Sequence, residues 1–220
     1  MISDNIQKIK STLPDGVRLI AVSKTKPVEM LQEAYDAGQR LFGENYATEL
    51  RDKHAVMPQD IEWHFIGHLQ PKQLKYYIGF VSMIHGVDSV EHLEAVEHAA
   101  AKVGRTVNVL LQFHIAQEET KFGFTLDEVA QLESLPQMEH VRVCGVMGMA
   151  SLTADMQQVR SEFRNLKRIF DELKASVFAG NPEFRELSMG MSGDYQIAIE
   201  EGATLVRIGS SIFGARVYNR

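Results

Sequence analysis

The chain has 220 residues, 45% of them hydrophobic and 24% charged, which is ordinary for a soluble globular protein and long enough for one large domain or two small ones. A net charge of −6 argues against general binding to nucleic acid or to an anionic membrane, although local backbone N–H groups can still hold an anion against that field. Cys144 is the only cysteine, so an intrachain disulfide is excluded and a reducing compartment is suited. The N-terminus, Met1-Ile2-Ser3-Asp4, lacks the basic start and apolar core of a secretory signal, and no apolar run approaches transmembrane length. A soluble, cytoplasmic protein is expected.

Ile2, Ile6, Ile9 and Leu13 form one apolar stripe on a first helix that Pro14 and Gly16 end. Leu19 to Val22 reads as a strand buried on both faces and runs into Ser23-Lys24-Thr25-Lys26-Pro27. Pro27 suits a first helical position, and the helix it opens closes at Gly38. Leu41 to Asn45 is a second strand and loop, followed by a polar helix from about Tyr46 to His54. Ile61 to Gly67 is a third strand, Gln70 to Tyr77 a short helix, and Val81 to His85 a fourth strand. Asp88 or Ser89 caps a helix carrying Val90, Leu93, Val96, Ala100 and Val103 on one face. Val107 to Phe113 is a fifth strand, and the polar loop Glu118 to Gly123 leads to a helix from about Thr125 to Leu135. Val141 to Met147 is a sixth strand. Asp155 starts the longest helix, with Met156, Val159, Phe163, Leu166, Phe170 and Leu173 inward and Arg160, Arg164, Lys167, Arg168 and Lys174 on a solvated face. Glu186 to Met189 is a seventh strand, Ser192 to Glu201 a helix, and Leu205 to Gly209 an eighth strand.

Strict alternation of strands and helices, with no linker or repeat between them, implies a parallel sheet. Eight such units point to a single-domain (β/α)₈ TIM barrel over residues 1–220, with an extra N-terminal helix. The alternative is an open doubly wound sheet, but no Gly-x-Gly-x-x-Gly follows the first strand.

In such a barrel the ligand site lies at the C-terminal ends of the strands, and phosphate binds at the loops after strands seven and eight. If Ile20 and Val22 point inward, the period of two brings Lys24 inward at the first strand's end, where its amine could form a Schiff base with a carbonyl ligand. The plain alternative is a solvated loop lysine. Ser192, at an expected helix start, and Gly209-Ser210-Ser211 offer N–H groups and hydroxyls to an anion; caps and tight turns use the same residue types. Arg207 interrupts the eighth strand, and a buried guanidinium there is costly unless paired, either with Glu44 or Glu186 or with a ligand. Lys24, the Ser192 and Gly209 loops and Arg207 together describe a site for pyridoxal 5′-phosphate, with the aldehyde on Lys24, the phosphate at Ser192, Gly209 and Ser210, and the ring nitrogen at Arg207.

Six runs carry a resemblance that spans almost the whole chain: Ala21 to Pro27 (AVSKTKP), Phe42 to Tyr46 (FGENY), Trp63 to Gln70 (WHFIGHLQ), Lys121-Phe122-Gly123, Leu187 to Asp194 (LSMGMSGD) and Val206 to Gly209 (VRIG). In these runs the chain resembles the pyridoxal phosphate homeostasis proteins, whose barrel is similar to the N-terminal domain of alanine racemases. The resemblance implies that Lys24 carries the cofactor, that Asn45 and His64 line the pocket, that Arg207 lies by the pyridine nitrogen, and that Ser192, Gly209 and Ser210 contact the phosphate. The chain departs from the family at Pro71-Lys72-Gln73 and at Phe113-His114.

An arginine at the ring nitrogen donates a hydrogen bond and leaves that nitrogen unprotonated, which weakens the cofactor as an electron sink. The expected role is therefore to hold and deliver the cofactor, with apo enzymes that need it as partners, without strong turnover. A monomer is expected, with a dimer left open. The alternative is an amino-acid racemase, which needs a second proton carrier such as Tyr46 or His64. A zinc hydrolase built on His64, His85 and His114 is a weaker reading, since the carboxylates a metal site wants are not nearby. Cys144 is expected to pack in the core, and Met147, Met149, Met189 and Met191 to line the barrel. Lys26 is the rival of Lys24, and Lys121 with Glu119 reads as a surface pair.

Overall fold

Eight short runs become strands: β1 (Arg18–Val22), β2 (Leu41–Glu44), β3 (Glu62–Phe65), β4 (Met83–Val87), β5 (Val107–Gln112), β6 (Val141–Met147), β7 (Glu186–Ser188) and β8 (Leu205–Ile208). Each pairs in parallel with the next, and β8 returns to β1, which closes the barrel. At the closure Leu19 stands opposite Val206 and Ile20 opposite Arg207. The computed structural model describes residues 1–117, 122–124 and 138–215; Glu118 to Lys121 and the helix expected over Thr125 to Leu135 lie outside them.

The period of two sorts each strand into an outer and an inner set. Leu19, Ala21, Phe42, Trp63, Phe65, Val109, Val146 and Val206 pack outward under the helices. Ile20, Met83, Leu110, Cys144, Met147 and Leu205 pack together inside the barrel. The interior is not wholly apolar: His64, His85, Gln112, Ser188, Glu186 and Arg207 are buried with them.

The helices supply the outer shell. α1 (Ile2–Lys10) buries Ile2, Ile6 and Ile9, and α2 (Val28–Asp36) buries Leu31 and Ala34. Pro27 is the N-cap of α2 rather than its first residue. α3 (Ala47–Val56) follows β2, and the short helix expected at Gln70 to Tyr77 is a 3₁₀ helix, Pro71–Tyr76. α4 (Val90–Lys102) is capped by Ser89, whose hydroxyl accepts from His92 N, while Val103, expected inward, is exposed. α5 (Met156–Ala175) is capped by the Asp155 carboxylate and buries Val159, Phe163, Leu166, Ile169, Phe170 and Leu173. Its basic face is ion-paired as well as solvated: Arg160 and Arg164 reach Glu200 and Glu201, and Lys167 and Arg168 pair with Asp171 and Glu172. Glu200 ends α6 (Tyr195–Glu200), so the first two pairs tie α5 to its neighbour. α7 (Ser210–Phe213), after β8, has no counterpart among the expected elements. No helix among the described residues is long and apolar enough to cross a membrane.

Candidate functional site

A cavity of about 280 Å³ opens at the C-terminal ends of the strands. Lys24, Asn45, Ser192, Arg207, Gly209 and Ser210 all line it, with Lys26, Val22, Ile66, Met149 and Met191. Six of the seven residues expected at the site therefore meet at one concavity. Met147 and Met189 stay in the core, away from it. The lining has three cationic side chains, Lys24, Lys26 and Arg207, and no carboxylate among the described residues, so a negative ligand is favoured locally in a chain of net charge −6.

Lys24 sits in a turn that bends sharply away from β1. Thr25 has φ +62°, the one positive value at a non-glycine residue among those described, and a branched residue in that region is strained. A buried network holds the turn. Lys53, 5% exposed, donates to the Ser23 carbonyl, to Glu44 Oε1 and to Glu49 Oε1, each at 2.7 Å. Ser23 Oγ donates to Glu44 Oε1 at 2.6 Å, and Thr25 N donates to Glu49 Oε1 at 2.7 Å. Burial raises the Glu44 carboxyl to about 7, against the opposing pull of Lys53. Sequence reasoning missed this support; the four-residue spacing of Glu49 and Lys53 on α3 was the available signal.

Across the mouth, the loops after β7 and β8 meet: Gly209 N donates to Ser192 Oγ at 3.3 Å. A Cβ on Gly209 would come within 3.1 Å of the Val22 carbonyl oxygen, so the backbone runs close to β1 there. Ser192 does not begin α6 as expected. Asp194 is the N-cap, its carboxylate accepting from Met191 N, and Ser192 stands in the turn before it. Gly190, at φ +90°, makes this turn possible, since a Cβ there would press on Ala198 Cβ at 2.5 Å. Gly209 and Ser210 form the N-terminal end of α7, the short extra helix that often follows the last barrel strand. Lys26 is committed to the other end of α7, donating to the carbonyls of Phe213, Gly214 and Ala215 at 3.1, 3.0 and 3.0 Å.

Arg207 is 5% exposed and has no carboxylate within salt-bridge distance among the described residues. Glu44 pairs instead with Lys53, and Glu186 with Arg18. The guanidinium donates to Ser188 Oγ at 2.6 Å and to the Gly148 carbonyl at 3.1 Å, and burial lowers its pKa to about 10. Asn45 carries a buried Oδ1 with no hydrogen-bond partner among the described residues, an acceptor at the cavity wall.

His64 is the exception. It does not line the mouth cavity but lies deeper in the barrel, bonded to His85 at 2.8 Å. Among the described residues no three His, Cys, Asp or Glu side chains are arranged to hold a metal ion. Of the departures, Pro71 opens the 3₁₀ helix, and Gln73 donates to Gln70 Oε1 beside the mouth, in a neighbouring pocket that Asn45, Tyr46 and His68 also line. His114 is tied through its backbone N–H to the Phe124 carbonyl.

The model of the alanine racemase N-terminal domain matches residues 1–217. The pyridoxal phosphate homeostasis protein of Aquifex aeolicus is 38% identical over 203 residues, covering 91% of this chain and 88% of the relative. That of Bos taurus is 42% identical over 219 residues, 92% of this chain and 78% of the relative. Among solved structures, PipY of Synechococcus elongatus without PLP superposes with a TM-score of 0.91 at 35% identity, over 97% of this chain and 100% of that one. The same protein with PLP bound gives 0.89 at 34% identity, with the same coverage. The closed barrel, the domain match over residues 1–217 and these identities agree: the chain belongs to the pyridoxal phosphate homeostasis protein family, built on the alanine racemase N-terminal domain.

Proposed function

We propose that residues 1–220 form one barrel domain that binds pyridoxal 5′-phosphate at its mouth, covalently through Lys24, and that the chain holds and delivers the cofactor. The observation that carries this is the meeting of Lys24, a buried arginine and two hydroxyl-bearing loops at one cavity. The residues fit the group. The cationic lining suits a ligand that carries a phosphate, and Asn45 Oδ1, buried without a hydrogen-bond partner among the described residues, can accept from a ligand. Bound there, the cofactor supplies an aldehyde for an amine to attack and a ring that withdraws electrons.

Each residue of the chain has a part. Lys24 contributes the amine, and the Lys53 network keeps the strained turn that presents it. Ser192, Gly209 and Ser210 orient a phosphate. Arg207 donates to a ring nitrogen, and its charge keeps a proton off that atom. A ring so held is a weak electron sink, which favours storage over turnover. Neither Tyr46 nor His64, the candidates for a racemase's second proton carrier, lines the cavity. Gly193 and Ser210 at the rim are solvent-exposed, a route by which a held cofactor passes to an apo enzyme. A monomeric, cytoplasmic existence belongs to the same proposal; the lone buried Cys144 suits a reducing compartment.

Borohydride reduction of the chain loaded with pyridoxal phosphate, followed by mass mapping, is expected to find a phosphopyridoxyl group on Lys24. Lys24→Ala is expected to stay colourless; an adduct mapped to Lys26 or another lysine in the wild-type chain defeats the assignment.

A further inference from the structure

Four buried polar side chains cross the barrel interior in one hydrogen-bonded file. His64 Nδ1 lies 2.8 Å from His85 Nε2, His85 Nδ1 lies 3.0 Å from Ser188 Oγ, and Ser188 Oγ accepts from Arg207 Nη1 at 2.6 Å. They come from β3, β4, β7 and β8, and none is more than 5% exposed. The two ends of the file reach different cavities. Arg207 lines the mouth, whereas His64 lines a second cavity of about 110 Å³ at the N-terminal ends of the strands, with Arg18, Glu62, Asn108 and Glu186. A polar path therefore runs the depth of the barrel.

Counting protons gives the path a direction. A guanidinium only donates, so Ser188 Oγ accepts from Arg207. The Ser188 hydroxyl proton then has one acceptor among the described residues, His85 Nδ1. His85 must carry its own proton on Nε2 and give it to His64 Nδ1, which leaves the His64 proton on Nε2, toward the lower cavity. The opposite direction would bury the Ser188 hydroxyl proton with no acceptor, a costly state in a protein interior. The scheme requires both imidazoles to be neutral. Burial drives the His64 pKa down to about 3 and that of His85 well below its usual value, with the charges of Arg18 and Arg207 adding to the effect.

We propose that His64, His85 and Ser188 form a one-way hydrogen-bond relay that positions Arg207 and couples the ring end of the mouth cavity to the lower cavity. The aligned dipoles present their acceptor end to Arg207. Each polarises the next, and together they help to sustain a buried cation that makes no ion pair among the described residues, although the Asp194 charge favours it. They fix Nη1 on Ser188 while the Gly148 carbonyl fixes Nη2, so the plane of the guanidinium is set before any ligand arrives. These are positioning residues. The identity of the ligand at Arg207 rests on the cofactor reading above; the direction of the relay is a property of the unloaded chain.

The test uses the full chain labelled with ¹⁵N-histidine, its eight histidines separated by His64→Gln and His85→Gln. Long-range ¹H–¹⁵N spectra of the unloaded protein are expected to show both residues as neutral Nε2–H tautomers between about pH 6 and 8. Adding pyridoxal phosphate is expected to shift the ring nitrogens of His64, although His64 does not line the mouth. Ser188→Ala is expected to abolish that shift and to weaken pyridoxal phosphate by roughly tenfold, with inorganic phosphate binding as before, and Ser188→Thr to restore both. An Nδ1–H tautomer or an imidazolium at either residue overturns the relay, as does an unmoved His64 in a chain whose Lys24 has reacted. If Lys24 forms no adduct, the cofactor reading fails instead, and the unloaded tautomers still decide the relay.

Discussion

Among single residues, the two lysines after β1 divide the labour by what surrounds them. Lys26 is spent on three carbonyls at the end of α7, which fixes its ammonium and offsets the dipole of that end. Lys24, two residues earlier, is held at the cavity by a turn that costs backbone strain at Thr25. The same scale decides where a phosphate sits. Ser192 Oγ already accepts the Gly209 N–H across the gap between the last two loops, so its hydroxyl is aimed at the space they enclose. Ser192→Ala is expected to weaken pyridoxal phosphate by roughly tenfold, the worth of one hydrogen bond to a charged group, and to leave unphosphorylated pyridoxal nearly unchanged. Titration with the two vitamers measures this. Equal weakening of both would remove Ser192 from the phosphate cup.

Elements were legible where a period had room to repeat. The twenty residues of α5 carry an apolar stripe with a cap before it, and Asp155 accepts from Gln157 N and Gln158 N where the sequence set the start. Asp155→Ala is expected to lower stability by about 1 kcal/mol in urea denaturation without altering cofactor loading, the usual value of an N-cap. α7, four residues long, has no period to read, and the boundary of α6 was ambiguous because Ser192 and Asp194 are both good caps. The depth of His64 was hidden for a different reason. Alternation along β3 correctly turns it inward, but a barrel's strands are staggered, so one ladder row runs obliquely from top to bottom. Val22 pairs with Gly43, Gly43 with His64, His64 with Met83, and Met83 with Asn108. Val22 lines the mouth, while His64, Met83 and Asn108 line the lower cavity. One strand's alternation fixes which side a residue faces; only the register of all eight fixes its height.

On the scale of the whole molecule, the barrel buries ionisable groups whose protons pull stability in opposite directions. His64 and His85 are held neutral, so below their unfolded value of 6.5 the unfolded chain binds protons that the folded chain refuses, and stability falls as the pH drops. Glu44 works the other way. Its folded carboxyl keeps a proton up to about 7, against 4.5 when unfolded, so the folded state binds the extra proton between those values. Its contribution is complete below the unfolded value and is lost as the pH rises through the folded one. Comparison with Glu44→Gln isolates this contribution, because both chains retain the two histidines. The stability of the wild type relative to the variant is expected to be greater at about pH 5 than at about pH 8, by on the order of 2 kcal/mol, in urea denaturation at each pH. The carboxylate form that replaces it at high pH still faces Ser23 and Lys53 through Oε1, but its Oε2 is buried with no partner among the described residues. Burial of that charge is the physical source of the penalty, and a difference that stays flat or widens toward high pH would mean that Lys53 alone compensates the charge.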